Sequence, residues 1–298
     1  MVIDSYYGQK AATTYLEIYS TPTDGTDRVI HRQLKDQEAY DFWHLSLYFK
    51  ELLEYRTLLE RPTLSLADLP RKEKNLLLYL MLACDPGPRS VLELGSSLFE
   101  LIDGLEVVRK IVRLSNVDLP DLPIERMRYV GIEISELFRT AANVLHPGYS
   151  IALHPSAKAD EERVDVLYDR SVTNYAFESP TELADFLKRA KCALLCTFFS
   201  LGETFQSLRV GKTLTYFALE EFLDLVDAPF FHLFGTKAPG PLSGTDPGGS
   251  EPVVEGFFMY GDRKFTDAFM KMAKQDPAVW AYFEEKQISP KDPRELLI

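Results

Sequence analysis

The chain has few cysteines: its 298 residues include three, an odd number that cannot all form disulfide pairs with one another. Cys84, Cys192 and Cys196 each lie in an apolar run, which favours reduced core residues over a disulfide framework. No further cysteine or histidine pair lies close to Cys192 and Cys196 to complete a zinc site. We therefore expect neither a disulfide-stapled fold nor a metal centre.

Positive charge is also scarce. Lys and Arg number 33 against 45 Asp and Glu, which gives a net charge of −12 at pH 7. This charge opposes the attraction to phosphate on which nucleic-acid binders depend. The short basic stretch 188–191 is typical of a solvated helix end. We expect a small-molecule substrate and no nucleic-acid partner.

Long apolar runs are missing as well. The longest, 75–84 and 192–201, are too short to span a bilayer, and no apolar signal segment follows Met1. Hydrophobic residues nevertheless make up 46% of the chain and aromatic residues 12%, enough for a sizeable buried core. We expect a soluble, cytoplasmic protein with no membrane partner.

Two helices are predicted in the first third of the chain. Residues 37–59 carry aromatic residues and leucines at intervals of three and four, as an amphipathic helix requires. A second helix is predicted over 68–83, with Asp68 as its cap, and the proline- and glycine-rich stretch 85–88 ends it. We predict an N-terminal helical lid or substrate-binding part over 1–88 and a core with a C-terminal helical tail over 89–298.

The pattern then changes to short apolar strands that alternate with amphipathic helices, which is typical of a parallel sheet covered on both faces. Strands are predicted at 91–94, 128–134, 149–153, 164–168, 192–199, 230–235 and 256–260. Helices are predicted at 99–114, 136–145, 180–190 and 219–226. The pattern predicts an α/β, Rossmann-like fold with a long flexible loop over 237–252.

One stretch predicts a binding site at the end of the first strand. Glu93, Leu94, Gly95, Ser96 and Ser97 join that strand to a helix start through a turn of small residues. Backbone N–H groups and a positive helix end then face any bound anion, and glycine lets the chain approach closely.

A second acidic position strengthens this prediction. Glu133, followed by Ile134, ends the second strand, where a carboxylate can accept both ribose hydroxyls of an adenosine. It lies 38 residues after Gly95, more than the usual spacing of about 20, and an inserted loop over 115–126 accounts for the excess.

With these motifs, residues 90–261 resemble the class I S-adenosylmethionine-dependent methyltransferases. The first motif of that family has the order acid, apolar, Gly, any, Gly, any, Gly. Glu93, Leu94 and Gly95 match it, whereas Ser97 and Phe99 replace the later glycines. The resemblance implies a seven-stranded, mostly parallel sheet with an antiparallel last strand, and S-adenosyl-L-methionine as the cofactor.

The resemblance also implies roles for individual residues. Glu93 would position the methionine amino group and Glu133 would hold the ribose, while adenine recognition stays unassigned because no acid follows the third strand directly. The cofactor-binding residues that we predict are Glu93, Gly95, Ser96, Ser97, Glu133, Ile134, Asp169, Arg170 and Ser171.

Proton acceptors for a hydroxyl substrate are predicted at Asp169, Tyr175 and His154, of which histidine has the pKa closest to neutrality. Asn174, Tyr175 and Ala176 are similar to part of the Asn-Pro-Pro-Tyr motif of amino-methylating enzymes, but both prolines are missing, which favours an ordinary loop. The tyrosine-containing segment 6–15 is loosely similar to a lid found before the core of some small-molecule methyltransferases.

The sequence therefore favours methyl transfer to an oxygen or nitrogen of a small metabolite. The N-terminal helices and the segment 200–216 would form the acceptor pocket, and the aromatic stretch 40–55 either covers that pocket or makes a homodimer contact. A nicotinamide-dependent oxidoreductase is disfavoured because Gly-x-Gly-x-x-Gly is missing. A non-catalytic methyltransferase-like partner or regulatory subunit stays open, since the later motif glycines are replaced.

Overall fold

A computed structural model describes residues 37–84, 90–115, 117–156, 163–170, 172–209, 212–239 and 252–298. The predicted lid segment 6–15 and residues 240–251 of the predicted loop lie outside the described residues. For Gln37 to His44, at the start of the first helix, only the backbone is described.

The helices and strands alternate through the core as the pattern predicts. The helices are α1 (Gln37–Glu60), α2 (Lys72–Cys84), α3 (Glu100–Ser115), α4 (Glu136–Leu145), α5 (Thr173–Ala176), α6 (Pro180–Leu187), α7 (Leu219–Leu225), α8 (Arg263–Gln275) and α9 (Pro277–Lys286). The strands are β1 (Ser90–Leu94), β2 (Arg128–Ile132), β3 (Ser150–His154), β4 (Val164–Arg170), β5 (Ala190–Ser200), β6 (Phe205–Arg209), β7 (Lys212–Ala218), β8 (Phe230–Pro239) and β9 (Pro252–Tyr260).

The central sheet is mostly parallel. Strands β3, β2, β1, β4 and β5 lie side by side in that order and all run in the same direction. Next to β5 lies β9, which is antiparallel to it, and β8 pairs with β9. The predicted Rossmann-like sheet with an antiparallel last strand is therefore confirmed.

Within the described residues the sheet has nine strands, two more than the resemblance implies. The additional pair is the antiparallel hairpin β6–β7, which follows β5. Strand β7 joins the sheet where Phe217 and Ala218 run parallel to the last two residues of β5. The segment predicted as part of an acceptor pocket thus forms a hairpin at the carboxyl end of β5.

Two hydrophobic cores cover the two faces of the sheet. Alternate residues of β1 enter different cores, as the two-residue period of a strand requires: Val91 packs with α2 and α3, whereas Leu92 and Leu94 pack with α6 and α7. Tyr55 and Leu58 of α1 belong to the same core as Val91. The N-terminal helices therefore share their apolar contacts with the sheet and α3.

Helix α2 begins later than predicted. Asp68 does not cap it but lies in a 3₁₀ turn, Leu66–Asp68, where its carboxylate accepts hydrogen bonds from the backbone N–H and hydroxyl of Ser65. Arg71 then takes a φ of +47°, which an α-helix cannot contain. The helix can start only after this left-handed residue, at Lys72.

None of the helices in the described ranges is long and apolar enough to cross a membrane. The same ranges hold no group of three or more His, Cys, Asp and Glu side chains placed to bind a metal ion.

Candidate cofactor site

Three chain segments meet at the carboxyl edge of the sheet. Leu94, the last residue of β1, pairs with Ile132 on one side and with Asp169 on the other. The loop that begins at Gly95 and the acidic Glu133 therefore follow adjacent strands. Ligands of open α/β sheets bind at this edge, so the structure places the predicted motif at a binding position.

The loop after β1 has an unusual backbone. Gly95, Ser97 and Phe99 have φ angles of +73°, +48° and +57°, whereas Ser96 and Leu98 between them are not left-handed. Gly95 is also required by space, because a Cβ atom there would overlap the side chain of Val172. All three motif positions thus keep a glycine-like conformation, although two of them carry side chains. A left-handed non-glycine residue costs about 1–2 kcal/mol.

Glu133 fastens this loop. Its Oε2 accepts the backbone N–H of Ser97 at 3.1 Å, and its Oε1 accepts the N–H of Ser135 at 2.8 Å. The side chain is 7% exposed, so these bonds form largely out of water. The neighbouring N–H groups are also used within the chain: those of Gly95 and Ser96 donate to the carbonyl of Ile132 at 2.8 and 3.3 Å, and that of Phe99 donates to the carbonyl of Ser96 at 2.8 Å. The N–H groups of Gly95, Ser96 and Ser97 therefore do not face an open anion site as the sequence predicts.

The neighbours of the loop fall into a buried and an exposed set. Glu93 and Ser96 are fully buried. Ser96 and Phe99 lie over Gly131 of β2, where a Cβ atom would collide with both. Ile134 is 67% exposed and follows Glu133 directly. Its exposed apolar side chain therefore lies beside the position predicted to bind ribose.

At the end of β4, Asp169 closes a turn. It is fully buried, and its Oδ1 accepts the backbone N–H groups of Val172 at 2.9 Å and Thr173 at 3.0 Å. The side chain of Arg170 and all of Ser171 lie outside the described residues.

Tyr175 and the hairpin form an aromatic wall next to that turn. Half-buried Tyr175 packs against the cluster of Leu214, Tyr216 and Val253. Tyr216 also stacks on Phe205, with ring centroids 4.7 Å apart and planes at 7°. The structure therefore brings Tyr175 and Asp169 to the same end of β4, beside the segment predicted to contact the acceptor.

His154 lies elsewhere. It ends β3, an edge strand, and its carbonyl accepts the N–H of Glu133 at 2.9 Å. Strands β2 and β1 separate β3 from β4, so these strands lie about 14 Å apart at 4.8 Å per strand. The structure does not bring His154 together with Asp169 and Tyr175.

Asn174 has a structural position. Its Nδ2 donates to the carbonyls of Phe198 at 2.9 Å and Thr215 at 2.8 Å. Its Oδ1 accepts from the Thr197 hydroxyl at 2.9 Å and the Phe198 N–H at 3.2 Å. These four bonds use the full capacity of the amide to join α5, β5 and β7. Asn174 thus lies in the short helix α5 and not in the ordinary loop that the sequence favours.

One buried cluster gave no signal in the sequence. His146, at the end of α4, has Nε2 2.9 Å from the carbonyl of Leu98 and Nδ1 3.5 Å from Oδ2 of Asp103. Oδ1 of Asp103 accepts from Nε of Arg56 at 3.2 Å. Burial raises the pKa of Asp103 to about 6, against the opposing effect of Arg56, and burial lowers the pKa of His146 to about 4.

Helix α1 starts above the site. The ring of Tyr48 contacts Phe138 in the first turn of α4, while Arg56 donates to the carbonyl of Leu145 at the other end of that helix. The residues before Tyr48 therefore continue past the carboxyl edge by about 16 Å, at 1.5 Å per residue. That the N-terminal part covers a pocket stays a prediction.

A cavity of about 400 Å³ lies elsewhere, lined by Arg61, Pro62, Thr63, Leu64, Ser65 and Asp68. The hydroxyl of Ser115, the last residue of α3, donates to the carbonyl of Leu64. Since α3 begins at the carboxyl edge and its 16 residues span about 24 Å, this cavity lies at the opposite edge of the sheet.

No protein-family model matches the chain, and no curated protein matches it. Several solved structures resemble it. The N-terminal domain of EvdMO1 with SAH bound is 11% identical, over 65% of this chain and 83% of that one, with a TM-score of 0.45. A TehB-like SAM-dependent methyltransferase from Corynebacterium glutamicum is 14% identical, over 74% and 98%, with a TM-score of 0.37. The plantazolicin methyltransferase BpumL in complex with SAH is 12% identical, over 87% and 97%, with a TM-score of 0.38.

Proposed function

We propose that this chain transfers a methyl group from S-adenosyl-L-methionine to an oxygen or nitrogen of a small metabolite. The observation that carries the proposal is the loop after β1, whose three motif positions are left-handed and whose Ser97 N–H is bonded to Glu133. Two strained residues are kept at the position where the sheet offers a binding crevice, and such strain is found mainly at functional sites.

The described residues fit an adenosine with a charged methionine tail. Each carboxylate oxygen can accept more than one hydrogen bond, and Glu133 would accept ribose hydroxyls in addition to the N–H groups of Ser97 and Ser135. Exposed Ile134 would lie against adenine, and the backbone of Gly95 to Ser97 would approach the methionine part. Arg170 and Ser171 stay candidates from the sequence.

The sulfonium of the cofactor supplies an already activated methyl group. The chain then has two tasks, to hold the acceptor in line and to exclude water. The aromatic wall of Tyr175, Phe205 and Tyr216 supplies one side of a dry acceptor site next to the end of β4. Helix α1 would close it from above, and an unprotonated amine would need no base.

A hydroxyl acceptor would have to lose a proton. Asp169 and Tyr175 are the nearby candidates, because both lie at the end of β4. Of these, Asp169 already accepts two backbone N–H groups, which fixes the orientation of its carboxylate. His154 is three strands away and would not act on the same proton.

Calorimetric titration with S-adenosylhomocysteine, with NAD as the control, tests the proposal. Saturable binding of the first ligand alone would support it, whereas binding of NAD alone would replace it with an oxidoreductase. Absence of binding to either ligand would favour the non-catalytic partner, the alternative suggested by the replaced glycines. A methyl-acceptor screen would follow only after binding is established.

Glu133→Ala is the matching variant. It should weaken S-adenosylhomocysteine binding by about 1.5–3 kcal/mol, since hydrogen bonds to a charged group are lost. Glu136→Ala is the control, because exposed Glu136 carries the same charge three residues later. Equal affinities of the two folded variants would remove Glu133 from the site.

A further inference from the structure

The ring of His146 lies between two hydrogen-bond acceptors, directly beneath the loop after β1. This loop, Gly95 to Phe99, is called the cofactor loop below. On one side is the carbonyl of Leu98, which lies between the left-handed Ser97 and Phe99. On the other side is Oδ2 of Asp103, in the first turn of α3. The ring is 4% exposed and Asp103 is 6% exposed, so water cannot easily replace either partner.

The number of ring protons limits what His146 can do. A carbonyl only accepts, so the contact with Leu98 requires a proton on Nε2. A neutral imidazole has a single N–H, and its Nδ1 then presents a lone pair to Asp103. The contact between Nδ1 and Asp103 is favourable in two cases. Either Asp103 is protonated and donates to Nδ1, or the ring carries two protons and Nδ1–H donates to the carboxylate. If the pair loses this proton, the one remaining N–H must serve either Leu98 or the carboxylate of Asp103.

We propose that His146 and Asp103 are positioning residues that hold the cofactor loop through one shared proton. With the proton present, Nε2–H of His146 donates to Leu98 and the loop is fixed. Without it, the N–H moves to Nδ1, faces the carboxylate of Asp103, and the carbonyl of Leu98 loses its donor. The effect on cofactor binding rests on the proposed function, whereas the effect on the loop does not.

The surroundings set the direction of the pH dependence. Arg56 of α1 pairs with Asp103, Glu100 and Glu106 add negative charge from α3, and the ring of Tyr149 lies 6.0 Å from that of His146. Burial raises the pKa of Asp103 to about 6 and lowers that of His146 to about 4. The shared proton is therefore on Asp103 in mildly acidic solution and is lost as the pH rises through about 6.

The anchor is the hydrogen bond from Nε2–H of His146 to the carbonyl of Leu98, controlled by the proton shared with Asp103. Nitrogen-15 NMR of the histidine rings tests this anchor without any ligand. In the wild-type chain, the His146 signals, assigned with His146→Gln, should change from the Nε2–H to the Nδ1–H tautomer between pH 5 and pH 8. In Asp103→Asn, the amide can donate to Nδ1 at every pH, so Nε2–H should persist. One unchanged tautomer in the wild type over this range would overturn the proposal.

The binding experiment separates this inference from the proposed function. Wild-type affinity for S-adenosylhomocysteine should fall about threefold to tenfold from pH 5.5 to pH 8. This change corresponds to the loss of one hydrogen bond. Asp103→Asn should lose this dependence. The same pH dependence in both proteins would overturn the anchor. If the ligand does not bind at any pH but the tautomer still changes, the anchor stands and the proposed function fails.

Discussion

At the scale of single residues, Ser97 carries a side chain where its backbone conformation favours glycine, since its φ is +48°. Ser97→Gly and Ser97→Ala both remove the hydroxyl, but only the alanine variant keeps the Cβ atom. We expect the glycine variant to be more stable than the alanine variant by about 1 kcal/mol, because the left-handed strain is relieved. Urea unfolding of the two variants measures this difference. Equal stabilities would mean that the loop is not strained at Ser97.

The sequence predicts the positions of the site better than the contacts within it. Glu133 follows from its place at a strand end, and Gly95 follows from the motif. That Glu133 would bind the Ser97 N–H, or that Asp169 would close its own turn, depends on side-chain directions set by packing. His146 had no motif at all, since Leu98 and Asp103 become its neighbours only when α4 docks beside α3.

At the scale of elements, the Asn174 amide adds hydrogen bonds between the hairpin β6–β7 and β5. Asn174→Ala would leave the buried carbonyl of Thr215 without this donor, and we expect a loss of about 2–3 kcal/mol of unfolding free energy. Hydrogen–deuterium exchange should increase over 205–218 and stay unchanged in β1 and β2. Glu203→Ala, at an exposed position just before the same hairpin, is the control. Uniform faster exchange across the sheet would contradict a local role.

Most helices and strands could be predicted because the apolar residues of each repeat with the period of that type of element. The strands β1, β2, β4 and β5 are apolar runs, and α4 has the predicted bounds 136–145. The hairpin was missed, although polar and apolar residues alternate around Gly211, a sequence signal for a tight turn. The start of α2 could not be predicted, because it depends on the left-handed backbone of Arg71.

At the scale of the whole molecule, His232 should contribute to a loss of stability in mild acid. Burial, reinforced by Lys291, lowers its pKa to about 4. In the unfolded chain His232 binds a proton near pH 6.5, whereas in the folded chain it binds one only near pH 4. The free energy of unfolding therefore decreases as the pH falls from 6.5 to 4. The lowered pKa of His146 acts in the same direction, whereas the raised pKa of Asp103 opposes it.

His232→Gln should therefore have a shallower loss of stability in acid than the wild type. The expected difference in slope is up to about 1.4 kcal/mol per pH unit. Urea midpoints at pH 7.5, 6 and 5 measure it, and at pH 7.5 the two proteins should differ only by the change in packing. Parallel curves over the whole range would show that His232 does not titrate differently in the folded and unfolded chains.

The loop after β1 also bears on how relatives of this chain could be recognised. Its residues read Gly, Ser, Ser, Leu, Phe. The φ angle is positive at the first, third and fifth of these residues and is not positive at the second and fourth. A pattern written in amino-acid letters would pass over such a loop, whereas one written in the signs of the torsion angles would detect it. Chains that have exchanged the glycines but kept the path of the backbone would then be grouped by geometry.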